Sequence, residues 1–331
     1  MNAEEVADRL GLPAAYQDRL RMLERASVAE VPPLGEADAA RLFPRLGIAP
    51  QDGAALLDLQ PGRDADPAWT WLLQRSAGGL VDGLGDPEPS PPWPDLPASL
   101  GARGRLFASW VYLAALPAVL RWHEERGVPE AVSWATFADL GLHLAIHRRV
   151  HGTVGLDAAW WLQPHFRGAL FRLGRLQFSR HRSPFGPTPP AEAAEVLPPG
   201  ALALDAHIPE DGPLAAAACE ASFAEAARFF PEHSPEDGAR VVTCTSWLLD
   251  DRLAAQLPAE SNIVRFQRRF TLLPGAAGDG DRDIVFFVFR RWDADPADLP
   301  RRTRLERAVA EHLAAGGHWQ VRRGWRPLEA G

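Results

Sequence analysis

Apolar positions along the chain follow two regimes. Over residues 2–147 they recur three and four apart, the period of amphipathic helices. Glu4–Leu10, Pro13–Glu24, Gly35–Phe43 and Pro50–Leu57 read as successive helices, with Pro44 stopping the third. Trp69, Trp71, Leu72 and Leu73 continue the bundle. Arg105–Glu125 is the most apolar helix, and Pro117 is expected to kink it. Ser133–His151 reads as one helix, capped by Ser133 and ended by Gly152. Residues 78–97 carry too much proline for a helix or a central strand. They read as a surface strap with Trp93 as its anchor. Residues 181–200 form a second proline-rich loop.

The second regime mixes strand and helix. Phe166–Phe178 reads as a strand, with Gly168 and Gly174 as bulges or a hairpin bend. Ala201–Ala206 is a short apolar run ending in the turn I-P-E-D-G-P. A helix follows, with Asp211 or Gly212 as cap and Pro213 in its first turn. It presents Ala216, Cys219, Phe223, Ala227 and Phe230 on one face and stops near Pro231. A strand at Val241–Trp247 and a short helix at Leu248–Leu257 come next. Val264–Leu272 alternates like a strand, and Asp283–Phe289 is apolar enough for an interior strand. Thr303–Ala315 reads as a helix ended by Gly316 and Gly317, and His318–Arg323 as a last strand. The fold class is therefore α+β, with a helical domain over 1–147 and a mixed-sheet domain over 148–331.

Composition narrows the chemistry. The chain has 331 residues, enough for two domains, and a net charge of −8, which argues against nucleic-acid partners. All of its basic residues other than histidine are arginine. With no lysine, Schiff-base, pyridoxal-phosphate and P-loop chemistry are excluded. Two cysteines cannot build a disulfide framework. The acidic amphipathic start, M-N-A-E-E-V-A-D-R-L, does not read as a signal peptide, and no run is long enough to span a bilayer. A cytoplasmic protein without a membrane partner is expected, its oligomeric state left open. Neither a G-x-S-x-G nor a dinucleotide fingerprint occurs.

Candidate groups gather between Ala201 and Phe270. Ligands of parallel sheets sit at the carboxyl ends of strands. His207 lies just past one such end; Cys244, Ser246 and Asp250 lie near another. His207 is a candidate base or substrate contact, or simply a turn-capping residue. Cys244 reads as a buried, inert thiol, with a covalent acyl-cysteine route as the sharper alternative. Asp250 reads as a helix cap or a base, Glu260 as a turn carboxylate or a base, and Ser261-Asn262 as a turn shaping the cleft. Arg167, Arg172, Arg175 and Arg180 form a basic run, either a solvated strand face or anion contacts. His143, His147 and His151 share one helix face at i, i+4, i+8. With Arg148 and Arg149 adjacent they read as a polar face and not a metal site; His151 is a candidate substrate contact.

Several segments carry a family resemblance. They are H-I-P-E-D-G-P-L at 207–214, C-T-S-W-L-L-D at 244–250 and L-P-A-E-S-N-I-V-R-F-Q-R-R-F at 257–270. F-R-G-A-L-F-R-L-G-R-L-Q-F at 166–178 and R-R-V-H-G-T-V-G-L at 148–156 join them. The sequence resembles a bacterial family of two-domain acyltransferases that pair an N-acyltransferase N-terminal domain with a GNAT-like C-terminal domain. The resemblance implies a GNAT-like mixed sheet and an acyl-CoA co-substrate, acetyl-CoA or longer, whose acyl group passes to an amine, with no metal. It implies His207, Glu260, Asp250 and Cys244 as catalytic candidates. Ser246, Asn262, Arg172, Arg175 and His151 are then the substrate-binding candidates. The GNAT pyrophosphate signature R/Q-x-x-G-x-G/A has no good copy; Arg149–Val154 fails at its last position. The tyrosines that could serve as general acid, Tyr16 and Tyr112, both lie in the helical half. Two other readings stand beside the transferase: an inactive GNAT-like module that binds or senses a small ligand, and a cysteine-dependent acyl transferase or hydrolase.

Overall fold

The computed structural model describes residues 1–61, 66–88, 96–157, 159–182, 194, 197–275, 277–291 and 294–329. Trp93 and most of the 181–200 loop lie outside the described residues. Internal contacts divide the chain into two units, Met1–Arg172 and Leu173–Gly331. The helix Asp139–His151 therefore runs unbroken past position 147 within the first unit.

The first unit is helical. Its helices are Ala3–Leu10, Gln17–Leu23, Glu36–Arg45, Pro50–Leu59, Pro67–Asp82, Gly101–Glu125, Glu130–Phe137, Asp139–His151 and Ala159–Leu162. The long helix Gly101–Glu125 is the spine, burying Leu106, Val111, Tyr112, Ala115 and Val119. Trp110 donates from Nε1 to Leu56 O at 3.0 Å, so its polar edge is satisfied inside the core. Tyr112 stacks on Phe166 with ring centroids 4.7 Å apart.

Two expectations fail here for local reasons. Residues 78–82 belong to the helix Pro67–Asp82 and not to a loop. A Cβ at Gly78 would lie 1.8 Å from the Ser27 carbonyl oxygen, so this glycine serves close approach and does not break the helix. The stretch 133–151 is two helices, broken at Ala138. The break frees the Gly141 N–H to donate to Leu46 O at 3.1 Å. Ser133 is inside the first of the two helices, its Oγ against His123 Nδ1 at 2.8 Å.

The second unit carries the sheet. With β1 as Leu170–Leu173, the later strands are β2 Leu176–Arg182, β3 Leu202–His207, β4 Val241–Ser246, β5 Thr271–Leu272, β6 Gly278–Asp279 and β7 Gln320–Pro327. Their order is β2-β3-β4-β7-β5, with β6 on β7. The β3–β4 pair is parallel; β2–β3, β4–β7 and β5–β7 are antiparallel. Gly174, at φ 65°, makes the turn ahead of β2. The helix Ala216–His233 covers one face, where Phe178 meets Phe223 edge-on at 5.7 Å. At one end of the other face Ala203, Val241 and Leu197 form a small apolar cluster with Trp325.

Several elements differ from the reading of the sequence. Ala216–His233 starts later than Pro213, is flanked by Ala215, and continues through Pro231. Residues 262–267 are helical, with Ser261 Oγ accepting from Val264 N at 3.3 Å; only Thr271–Leu272 is strand. Phe266 and Phe270 are four apart, so the same apolar positions satisfy both periods. The segment 281–289 is a helix with Phe287 52 % exposed, not an interior strand. A short apolar run does not distinguish a strand from a helix, and Asp281 and Asp283 in the first turn favour the helix.

Two buried polar sites make these units testable. His123 is 1 % exposed, stacked on Phe137 and beside Phe171. Burial lowers its imidazole to about 4. The unfolded chain therefore takes up this proton first, near 6.5, and stability is lost as pH falls from 6.5 toward about 4. The slope should reach ~1.4 kcal/mol per pH unit, and urea unfolding of His123→Gln should show it reduced. In the second unit Arg180 and Asp237, each 3 % exposed, form a two-bond pair with Nη2 to Oδ1 at 2.8 Å. Asp237→Asn should cost about 3 kcal/mol in the same measurement, because the buried guanidinium loses its two-bond partner and keeps the longer contact to Glu236 at 3.8 Å.

Candidate active site

The site is built where β3 and β4 part. Their parallel register holds at Leu204↔Val242 and Asp205↔Thr243. Beyond that β3 continues to His207 alongside β2, as Gln177↔His207. β4 continues to Ser246 paired with β7, as Cys244↔Gly324 and Ser246↔Arg322. The register between the two parallel strands thus ends before either strand does.

The chain leaving β3 crosses this gap as residues 208–215 and enters the helix Ala216–His233. Arg175 governs that crossing. Its Nε donates to Pro213 O at 2.9 Å and its Nη2 to Pro209 O at 2.7 Å and to Gly212 O. Asp211 lies 3.6 Å from its Nη1. One guanidinium therefore gathers three loop carbonyls onto one side. The helix they lead into has Ala215 at its N-cap, with no side-chain acceptor. The N-terminus of this 18-residue helix carries the positive end of its dipole without a side-chain cap, a feature suited to an anion.

On the sheet face away from that helix stands a chain of polar side chains. His207 Nε2 and Ser179 Oγ share a hydrogen bond of 2.8 Å, and Asp205 Oδ2 lies 3.6 Å from the same nitrogen. Thr243 Oγ1 donates to Asp205 Oδ1 at 2.7 Å and lies 3.0 Å from His181 Nε2. His207 and Asp205 are about one-fifth exposed, at 23 % and 18 %, so this group is reachable from solvent. Ser179, His181, Asp205 and Thr243 were not among the residues singled out from sequence. The signal that could have found them is alternation: each stands two residues, or one paired strand, from His207.

Comparison with known proteins finds relatives over the length of the chain. A model of the N-acyltransferase N-terminal domain matches residues 37–168, and one of the GNAT-like C-terminal domain matches residues 170–326. A solved acyltransferase in complex with decanoyl-CoA is 39 % identical, with a TM-score of 0.90, covering 99 % of this chain and 100 % of that one. A structure with decanoyl-CoA and teicoplanin has the same identity and coverage and a TM-score of 0.89. A mutant acyltransferase in complex with octanoyl-CoA is 38 % identical, with the same coverage and a TM-score of 0.88. Among curated proteins no relative matches.

The chain belongs to the two-domain acyltransferases.

In this acyltransferase the remaining sequence candidates separate. Cys244 is 1 % exposed, and burial pushes its thiol well above its ordinary range, with the Asp205 charge adding to the effect. Cys244 shares a face with Val242, which pairs with Leu204, so it stands on the opposite face from His207. A cysteine–histidine couple is absent here. Asp250 is fully buried, with Oδ1 accepting from Arg252 N at 3.0 Å and Oδ2 from Gln320 N at 2.8 Å. Both oxygens are spent on backbone, so it is a cap and not a base. Ser246 Oγ accepts from Leu248 N at 3.1 Å at the end of β4. Glu260 and Asn262 are exposed, the first on a turn and the second opening the helix Asn262–Gln267.

The other candidates belong to the first unit. His151 ends the helix Asp139–His151, and the Arg172 backbone N–H donates to Thr136 Oγ1 at 2.9 Å. Tyr112 is buried, its hydroxyl donating to Ala159 O, and burial raises its phenol far out of the working range. It is unsuited as a general acid. Asp139 is 3 % exposed. Burial works to raise its carboxyl, but His165 Nε2 at 3.1 Å and His143 Nε2 at 3.4 Å hold it well below its usual range. No helix among the described residues is long and apolar enough to cross a membrane.

Arg175 should behave as the fastener of the 208–215 crossing. Arg175→Gln should speed amide hydrogen exchange in that segment at least tenfold, since three hydrogen bonds worth ~1 kcal/mol each are removed. Exchange across β2 and β3 should change little.

Proposed function

We propose that this protein transfers a medium-length acyl group from acyl-CoA to an amine of a glycopeptide-like acceptor. The observation that carries the reading is the parting of β3 and β4 beside an uncapped helix N-terminus, in a chain 39 % identical over its length to an acyltransferase in complex with decanoyl-CoA. The thioester arm is placed where the β3–β4 register ends, and the diphosphate at the N-terminus of the helix Ala216–His233, which has no side-chain cap. Octanoyl-CoA and decanoyl-CoA in related structures support a chain of roughly that length, and teicoplanin in another supports the acceptor class.

His207 is the base of this reading. It stands at the mouth of the gap, and Ser179 and Asp205 hold its Nε2. The acceptor amine attacks the thioester carbonyl, a C–N bond forms and the C–S bond breaks. His207 takes the amine proton and CoA leaves as the thiolate. Glu260 and Asn262, exposed on neighbouring segments, and Ser246 at the end of β4 serve as acceptor contacts. Arg175 shapes the diphosphate surface and does not touch the phosphates. Cys244 forms no acyl intermediate. The N-acyltransferase domain is assigned to the helical part and the GNAT-like domain to the sheet, in line with the residues matched, 37–168 and 170–326.

Calorimetry with decanoyl-CoA, with free CoA as control, tests the co-substrate directly. Micromolar binding is expected; none at millimolar ligand would leave a GNAT-like binding module in its place. With a glycopeptide amine as acceptor, His207→Ala should lower kcat by ~10²–10⁴ with little change in the KM for acyl-CoA. Cys244→Ala should keep kcat within about threefold, as expected of a thiol that only packs.

A further inference from the structure

Away from the sheet, the first unit holds a second group of chemistry-bearing side chains. His147 and His151 lie one turn apart on the helix Asp139–His151, with ring centroids 4.5 Å apart. Gly152, at φ 68°, ends that helix in the left-handed conformation and turns the chain back. The returning segment brings Asp157 over both imidazoles. Its Oδ2 accepts from His151 Nε2 at 2.7 Å, and its Oδ1 is 3.7 Å from His147 Nε2. One ligand atom from each of the three residues lies within 4.8 Å of the others.

We propose that His147, His151 and Asp157 form a binding site for a divalent transition metal, zinc in the first instance. Two imidazoles and one carboxylate are a ligand set that zinc takes. A tetrahedral centre with bonds of about 2.0–2.1 Å needs donor atoms roughly 3.3 Å apart. The separations of 2.7 Å to Oδ2 and 3.7 Å to Oδ1 lie either side of that value, and all three donors are within 4.8 Å of one another, so filling the site draws them together by about 1.5 Å at most.

Three features around the ligands support a built site. His147 Nδ1–H donates to Thr153 O at 3.0 Å. That bond fixes the tautomer and aims Nε2, the ring nitrogen facing Asp157, as the donor. Outer partners of this kind orient the ligating histidines of metal proteins. Gly155 leaves room beside the same nitrogen, since a Cβ there would lie 2.5 Å from His147 Nε2. Arg105, whose charge acts on His147, is also engaged: its Nε donates to Val154 O at 3.1 Å. Arg148, next in sequence to His147, is paired with Asp52. His147 and Asp157 also line a cavity of about 190 Å³ walled by Leu12, Leu20, Phe107 and Leu156. Three protein ligands leave a fourth position for water or for a donor entering that cavity. Bound metal would clamp residues 152–157 onto the helix end and tighten the cavity rim.

Titration of the full-length, tag-free, metal-stripped protein with zinc chloride tests this by calorimetry and by thermal unfolding. One equivalent should bind in the micromolar range or tighter and raise Tm. His151→Ala and Asp157→Asn should each weaken binding at least tenfold and abolish the Tm rise. Both side chains are nearly half exposed, at 43 % and 48 %, so these variants keep the fold, which circular dichroism checks. His312→Ala, remote in sequence, should leave binding unchanged. Absence of binding to the wild-type protein would overturn the proposal, as would binding that survives both substitutions.

Discussion

The second unit depends on one limit in its sheet: β3 and β4 stay paired for only two register steps. Each strand then keeps its other neighbour, β2 for β3 and β7 for β4, so neither loses its structure as they separate. A sheet that opened without those outer partners would leave both strand ends unpaired and frayed. Here the outer ladders carry both strands past the point where their mutual register ends. The polar side chains at that end are therefore held in place by main-chain pairing.

What lies beside the gap follows from the same economy of partners. The 208–215 crossing has no secondary structure of its own, and Arg175 supplies the order that a ladder would otherwise give. Because a guanidinium only donates, it can bind carbonyls and nothing else of the backbone. Three carbonyls of the crossing are thereby turned toward Arg175. The cysteine beside the same strands is excluded from chemistry by burial, and the aspartate that begins the next helix by its two backbone donors. In each case the backbone's need for partners decides which side chains remain available.

The first unit follows a different rule. Its core is assembled by close approach, with Gly78 against Ser27 and Gly141 against the Gly47 backbone. Small residues let helices meet at distances that a Cβ would forbid. Polar groups taken into that core are matched by particular partners: His123 with Ser133, Trp110 with Leu56 and Asp139 with both His165 and His143. The histidines that read as a polar face divide between two carboxylates, His143 toward Asp139 and the other two toward Asp157.

Much was legible from sequence because local periodicity and capping are local physics. The helical first half, the strands β3 and β4, the helix between them and the last helix with Gly316 past its end all follow from residue spacing and end signals. The position of His207 at a strand end and the resemblance of its segment were likewise readable from the residues themselves. What sequence could not decide were cases in which two periods fit the same apolar positions, at 262–272 and 281–289, and glycines whose purpose is a neighbour far along the chain. It also could not assign roles. Arg175 and Asp250 look like functional groups in one dimension, and only the folded chain shows their hydrogen bonds ending on backbone. Ser179, Asp205 and Thr243 look like ordinary strand residues until register sets them beside His207. Spacing along one element is set by bond geometry that every segment carries within itself. Which polar group meets which is set by pairing between segments, and that exists only once the tertiary structure has formed.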